Sequence, residues 1–140
     1  MNEPCPVSLP IQHRHQLRVY WEDTDAGGVV FYANYLKFFE RARTEWLRSL
    51  GFGQRRLRDE TGLMFVVVHS AITYLHPARL DDELDLTVSV AESGRASMTI
   101  VQQAWCNGHL LAEGAVRIGC VDAGTLRPRR IPKPILERIA

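Results

Sequence analysis

Cysteine is scarce in this chain, and its spacing argues against two kinds of stabilisation. The 140 residues contain three cysteines, Cys5, Cys106 and Cys120, and no Cys-x-x-Cys pair. A disulfide framework uses an even set of cysteines, and a zinc site uses ligands at short, regular spacings. We therefore expect neither a disulfide framework nor a metal site. A reducing, cytoplasmic location is the simplest expectation.

Long apolar runs and an excess of one charge are also lacking. Residues 1–10 contain three prolines and no apolar run of signal-peptide or membrane-helix length, so no membrane span is expected. The net charge is +1, which gives no overall attraction to nucleic acid or anionic membranes. The arginines also lack the interleaved aromatic residues of a stacking platform, so nucleic-acid binding ranks last.

The chain does have enough apolar content for one core, at 46% of its residues. We expect residues 1–13 to form a flexible N-terminal tail and residues 14–140 to form a single domain. His13 and His15 flank Arg14 and suggest a metal site, but no further ligands follow. We interpret them as a solvated approach to a first strand at residues 16–21.

The longest periodic pattern begins at Tyr35 and ends at Leu50, with apolar residues every three or four positions and charged residues between them. This pattern predicts a helix with one buried face. Asn34 is expected to cap its start with a side-chain oxygen, and Gly51 to end it in the left-handed conformation.

Four strands are expected after this helix. Residues 63–75 are almost continuously apolar, which predicts a strand covered by the helix on one face and by a second subunit or an acyl chain on the other. Within it, His69 and Ser70 favour backbone hydrogen bonds over lining an acyl pocket. Strict alternation at residues 83–90 and the Asn107-Gly108 turn predict further antiparallel strands. The fold class is therefore α+β, with one long helix across a curved, mainly antiparallel sheet of about five strands.

Chemistry is expected at the acidic turn before the helix. Asp23 and Asp25 lead into Gly27-Gly28, and a glycine-rich approach to a helix leaves backbone N–H groups at the positive end of its dipole. Such groups stabilise a carbonyl oxygen that gains negative charge, and Asp25 can act as nucleophile or general base. From the residues alone, a solvated acidic turn without chemistry is the more ordinary interpretation.

A resemblance to a known family changes that balance. Residues 23–35 read Asp-x-Asp-x-x-Gly-Val-Val-aromatic-Tyr-x-Asn-Tyr and are followed by Glu-Arg-Ala-Arg-Thr-Glu at 40–45, Pro-Ala-Arg-Leu-Asp-Asp at 77–82 and Arg-Pro-Arg-Arg-Ile-Pro at 127–132. This resembles the 4-hydroxybenzoyl-CoA thioesterase family of hotdog-fold proteins. Within the family it is most similar to the YbgC type, the acyl-CoA thioesterases associated with the Tol-Pal complex.

The resemblance assigns roles to particular residues. It places the catalytic carboxylate at Asp25 and the backbone N–H that polarises the thioester carbonyl at Tyr32. Substrate contacts fall on Gly28 and Val29, and on Arg95 in a basic turn near the nucleotide. Many YbgC-type proteins have histidine where this chain has Tyr32, a change that leaves a backbone role intact.

The implied activity is hydrolysis of an acyl-CoA thioester to a free acid and CoA, without a cofactor. The resemblance also implies a homo-oligomer, with dimers that join their sheets edge to edge and pair into tetramers, and acyl carrier protein is a further candidate partner. A binding module that holds an acyl group or a carrier protein without cleaving it remains an alternative. A hotdog hydratase is disfavoured, because no histidine stands in a matching Asp/His motif.

Overall fold

Five strands and three α-helices follow one another along residues 9–139, the part of the chain that the computed structural model describes. In chain order they are β1 (His13–Arg18), α1 (Asn34–Ser49), α2 (Gln54–Thr61), β2 (Leu63–Tyr74), β3 (Glu83–Ser93), β4 (Ser97–Cys106), β5 (His109–Asp122) and α3 (Lys133–Ile139). Neighbouring strands are antiparallel in the order β1-β3-β4-β5-β2. The curved sheet and the long α1 confirm the predicted α+β hotdog architecture. No helix within these residues is long and apolar enough to cross a membrane.

Helix α1 buries the face that its apolar spacing predicted. Phe38, Phe39 and Trp46 are fully buried, and burial of each such side chain stabilises the fold by about 1.5–3 kcal/mol or more. A Cβ atom added at Gly114 of β5 would lie only 3.1 Å from the Phe39 ring. The helix therefore approaches the sheet closely because position 114 has no side chain.

The start of α1 differs from the prediction. Ala33, not Asn34, occupies the N-cap position, and no side chain caps the helix. The Asn34 amide Nδ2 instead donates to Oδ1 of Asp23 at 2.9 Å. A hydrogen bond from the Asn34 amide to a buried carboxylate is stronger than a neutral hydrogen bond from a backbone N–H group to the amide oxygen. The side chain therefore points toward Asp23 and does not cap the helix.

The end of α1 confirms the prediction. Gly51 has a φ of +95°, and its N–H donates to the Arg48 carbonyl at 3.0 Å while the Phe52 N–H donates to the Leu47 carbonyl at 2.9 Å. This pair of bonds is the Schellman motif, which satisfies carbonyl groups that the helix itself cannot pair.

A buried polar pair connects the middle of α1 to the sheet. Arg43 Nη1 donates to Oε1 of Gln102 on β4 at 2.9 Å, and Gln102 Nε2 donates to the Phe39 carbonyl at 3.0 Å. Burial lowers the pKa of Arg43, and the nearby Glu40 carboxylate opposes this. The sequence pattern had marked only the apolar residues of this face.

The ends of the chain also differ from expectation. Strand β1 begins at His13 rather than at residue 16 and ends at Arg18, and Trp21, its expected last residue, begins a 3₁₀ turn, Trp21–Asp23. His13 and His15 therefore lie within the strand, opposite Val88 and Leu86 of β3. Near the C-terminus, Lys133–Ile139 form the short helix α3, in which Ile135 and Ile139 lie one turn apart and are both buried. Most of the predicted N-terminal tail lies outside the described residues.

The two edges of the sheet are unlike each other. β1 has six residues, with Arg14 and Arg18 among them, whereas β2 has twelve and is mainly apolar. Val67 and Val68 on β2 are 52% and 57% exposed. The single chain therefore leaves the centre of β2 open, although the sequence predicted cover on both faces.

Replacement of Gly51 by alanine should destabilise the protein. A side chain in the left-handed conformation costs about 1–2 kcal/mol, so the urea midpoint should fall with the slope of the transition unchanged. Gly94→Ala is the matched control, because Gly94 has no positive φ and a Cβ there would make only an ordinary contact, 3.5 Å from the Ser97 carbonyl oxygen. Equal midpoints for the two variants would contradict the assigned role of Gly51.

Candidate functional site

Asp25 lies at the tip of a tight turn. Its N–H donates to the Val29 carbonyl at 2.8 Å, its carbonyl accepts from the Gly28 N–H at 3.0 Å, and Gly28 has a φ of +78°. The side-chain Oδ1 accepts from the Gly27 N–H at 2.8 Å. These bonds hold an exposed carboxylate in a defined position, with Oδ2 accepting no hydrogen bond from residues 9–139.

The neighbouring Asp23 fastens this turn to the helix. It is only 5% exposed, and it accepts from Asn34 through Oδ1 and from the Tyr20 N–H through Oδ2, at 2.9 and 2.8 Å. Its carbonyl also accepts from the Phe31 N–H at 3.0 Å. Asp23 is therefore structural, and it connects the strand end, the turn and the helix start.

Two backbone N–H groups are available at the start of α1. The Asn34 N–H donates to the Phe31 carbonyl at 2.8 Å, but the N–H groups of Tyr32 and Ala33 have no acceptor within residues 9–139. They lie at the positive end of the α1 dipole. Tyr32 is 64% exposed, so its side chain lies largely outside the core. The backbone of this residue, rather than its ring, is held in place.

The Pro-Ala-Arg segment at residues 77–79 supports the turn from its other side. The Val30 N–H donates to the Ala78 carbonyl at 2.8 Å, Val29 forms an antiparallel bridge with Arg79, and the Ala78 N–H donates to the Tyr35 hydroxyl at 3.2 Å. Burial raises the pKa of Tyr35, so its hydroxyl stays protonated. The sequence predicted only a connection here.

Tyr74, at the end of β2, also reaches the site and was missed from the sequence. Its hydroxyl donates to the Tyr32 carbonyl at 2.9 Å, and its ring lies 6.2 Å from that of Tyr32 and 5.5 Å from that of Tyr35, measured between centroids. In the sequence, Tyr74 stands at the end of an apolar run, where nothing distinguishes it from a strand residue without a functional role.

Arg95 does not lie near Asp25 in the same chain. It is exposed in the turn after β3, and its carbonyl accepts from the Ile131 N–H at 2.7 Å. β3 starts opposite Arg18, beside the acidic turn, and its 11 residues span about 35 Å. Within one chain, Asp25, Gly28 and Val29 share one turn and Tyr32 lies at the start of the helix that follows it, whereas Arg95 lies in a distant turn.

Other residues considered from the sequence lie away from this site or have structural roles. His69 and Ser70 are exposed on β2, and the arginines of α2 are exposed. Cys106 and Cys120 are buried and unpaired, and burial raises the pKa of both thiols. They behave as small buried residues, as predicted, whereas Cys5 lies outside the described residues.

Comparison with known proteins gives the family. Residues 19–139 match the model of the thioesterase-like superfamily. The chain belongs to this superfamily. It is 47% identical over 119 residues to an acyl-CoA thioesterase YbgC of Haemophilus influenzae, covering 85% of this chain and 88% of the relative. It is 43% identical over 124 residues to an acyl-CoA thioester hydrolase YbgC of Escherichia coli, covering 88% and 92%.

A solved structure supports the same assignment. The crystal structure of a probable thioesterase from Bartonella henselae matches with a TM-score of 0.81 at 36% identity, covering 86% of this chain and 98% of the other. The predictions of a hotdog thioesterase of the YbgC type and of thioester hydrolase activity are confirmed.

Replacement of Asp23 by alanine should lower stability by about 2–3 kcal/mol, because it leaves the Asn34 amide and the Tyr20 N–H without their acceptor. Urea unfolding measures this loss. Glu22→Ala removes the adjacent, exposed carboxylate and should change stability by less than about 0.5 kcal/mol. Similar values for the two variants would contradict the structural role of Asp23.

Proposed function

We propose that this protein hydrolyses an acyl-CoA thioester, with Asp25 as the catalytic carboxylate and the Tyr32 N–H as the oxyanion donor. One observation carries the proposal: an exposed carboxylate, held by its own turn, lies on the loop that leads into a helix start whose N–H groups have no acceptor within residues 9–139. The names of the YbgC relatives support the substrate class.

The chemistry follows from this arrangement in one of two ways. As a general base, Asp25 takes a proton from water, and the hydroxide attacks the thioester carbonyl carbon. As a nucleophile, Asp25 attacks that carbon itself, and water hydrolyses the resulting anhydride. In both cases negative charge develops on the carbonyl oxygen, where the Tyr32 N–H and the α1 dipole stabilise it, and the C–S bond breaks to release CoA.

The open edge of the sheet supports a homo-oligomer. An apolar edge strand of twelve residues that lacks proline and lysine is an aggregation hazard unless another strand or a covering element protects it. Pairing of β2 with β2 of a second copy removes that hazard, because it occupies the open hydrogen-bonding edge. We propose an edge-to-edge dimer as the basic unit, and the expected tetramer as a pair of such dimers.

The same pairing gives Arg95 a place in the site. Tyr74, at one end of β2, contacts Tyr32, whereas Leu63, at the other end, pairs with Asp122 at the end of the sheet that carries the Arg95 turn. In antiparallel pairing, the Leu63 end of one copy lies beside the Tyr74 end of the other. Arg95 of a second copy would then approach the nucleotide of a substrate whose thioester lies against Gly28 and Val29.

Two further expectations follow the proposal. Acyl carrier protein is a second candidate carrier of the acyl group, since it presents the same thioester. A cytoplasmic location agrees with the unpaired thiols of Cys106 and Cys120. The alternative of a binding module that does not cleave its ligand is disfavoured by the confirmed hydrolase family.

Asp25→Asn should fold normally and lose at least about 100-fold in turnover, since it removes the carboxylate but keeps the shape of the side chain. Thiol release from a panel of short, long and aromatic acyl-CoAs measures this. Glu22→Gln is the matched control, because Glu22 is an exposed carboxylate three residues before Asp25 and takes no part in the proposed chemistry. Wild-type turnover in Asp25→Asn would refute the assignment.

Val68→Lys should convert the oligomer to monomers. Val68 lies near the middle of β2, so symmetric antiparallel pairing places it close to its own copy, where two lysines repel each other. Light scattering coupled to size exclusion measures the mass. Ile11→Lys introduces the same charge at an apolar side chain that is 44% exposed and lies outside β2. If both variants keep the wild-type mass, β2 is not the interface.

A further inference from the structure

The Tyr74 hydroxyl bonds to a backbone carbonyl at the start of the proposed site. That carbonyl belongs to Tyr32, and the O–O distance is 2.9 Å. The only other donor to this carbonyl within residues 9–139 is the Tyr35 N–H at 3.4 Å, which is long for a backbone hydrogen bond. Tyr74 is therefore the stronger of the two constraints on the peptide between Tyr32 and Ala33.

The orientation of this peptide and of the one before it determines where two N–H groups point. A trans peptide is planar, so its C=O and N–H bonds point in opposite directions. Fixing the Tyr32 carbonyl therefore also fixes the direction of the Ala33 N–H. In the preceding peptide, the Phe31 carbonyl accepts from the Asn34 N–H at 2.8 Å, which orients the Tyr32 N–H in the same manner. Each available N–H thus has its own carbonyl held by a donor.

We propose that Tyr74 is a positioning residue for hydrolysis, holding the Tyr32–Ala33 peptide so that the Ala33 N–H acts beside the Tyr32 N–H as a second oxyanion donor. This inference rests on the proposed function, which assigns the oxyanion to the start of α1. The hydrogen bond to the Tyr32 carbonyl also polarises the peptide and makes the Ala33 N–H a better donor.

The surroundings of Tyr74 suit this role. Its ring packs edge-on against the rings of Tyr32 and Tyr35, which limits rotation of the side chain. Burial, followed by the nearby Tyr32 hydroxyl, raises the pKa of Tyr74, so the phenol stays protonated and remains a donor at neutral pH. Tyr74 ends the strand β2, and its bond therefore also connects the proposed dimer edge to the catalytic peptide.

Tyr74→Phe tests the proposal, because it removes the hydroxyl and keeps the ring. We expect kcat to fall about 3- to 10-fold with KM changed less than about two-fold, because the oxyanion forms only in the transition state. The mass from light scattering should stay that of the wild type. Tyr20→Phe removes the hydroxyl of another exposed tyrosine, one that makes no side-chain hydrogen bond within residues 9–139, and should leave kcat unchanged.

A backbone substitution tests the second donor directly. Incorporation of lactic acid in place of Ala33 exchanges the N–H for an ester oxygen, and kcat should fall at least about 10-fold, as for loss of one oxyanion donor. Wild-type kcat in either Tyr74→Phe or the Ala33 ester overturns the proposal. So does a loss of kcat in Tyr74→Phe that is accompanied by dissociation of the oligomer or by an equal rise in KM.

The outcome also separates this proposal from the proposed function. If Asp25→Asn is inactive while Tyr74→Phe turns over normally, the positioning role is wrong and the thioesterase mechanism stands. If Asp25→Asn retains turnover while Tyr74→Phe and the Ala33 ester lose it, the carboxylate assignment is wrong and the oxyanion site with its positioning residue stands.

Discussion

Burial of the α1 face against the sheet is the interaction on which the rest of the structure depends. Phe38, Phe39 and Trp46 fill the space between helix and strands, and the bare Gly114 allows close approach. The apolar contacts fix where the helix lies. Its first turn then meets the acidic loop, and Asp23 bonds the two together. The proposed chemistry depends on this arrangement, in which a buried helix follows a loop that presents a carboxylate.

Much of this structure could be predicted from the sequence, because local conformational preferences and tertiary packing favour the same arrangement. The spacing from Tyr35 to Leu50 predicts the buried face, and Gly51 predicts the helix end, since only glycine adopts its conformation cheaply. The Asp25 turn was identified because the resemblance and the backbone chemistry indicate the same residues. In these places, short-range preference and long-range packing favour the same structure.

The prediction failed where a distant partner decides the conformation. Asn34 is a residue type that commonly caps helices, but its amide donates a hydrogen bond to the carboxylate of Asp23, eleven positions earlier. β1 starts at His13 because register with β3 sets its bounds, not the apolar residues Val19 and Tyr20. Tyr74 and Ala78 reach the site through pairings that no local pattern encodes. The substrate contact that the resemblance assigns to Arg95 stays a prediction, because in the proposed dimer it depends on a second copy.

The bond between Arg43 and Gln102 has a consequence for precision. Apolar side chains tolerate small slides of one element over another, because dispersion contacts are non-directional. Arg43 donates a hydrogen bond to the Gln102 amide, and Gln102 donates one to the Phe39 carbonyl. These two directional bonds restrict both the rotation of the helix about its axis and its translation along it. Ala33 lies ten residues before Arg43, about 15 Å along the axis. Because a helix is stiff, the hydrogen bonds at its middle also fix the position of its first turn, where the proposed oxyanion donors lie.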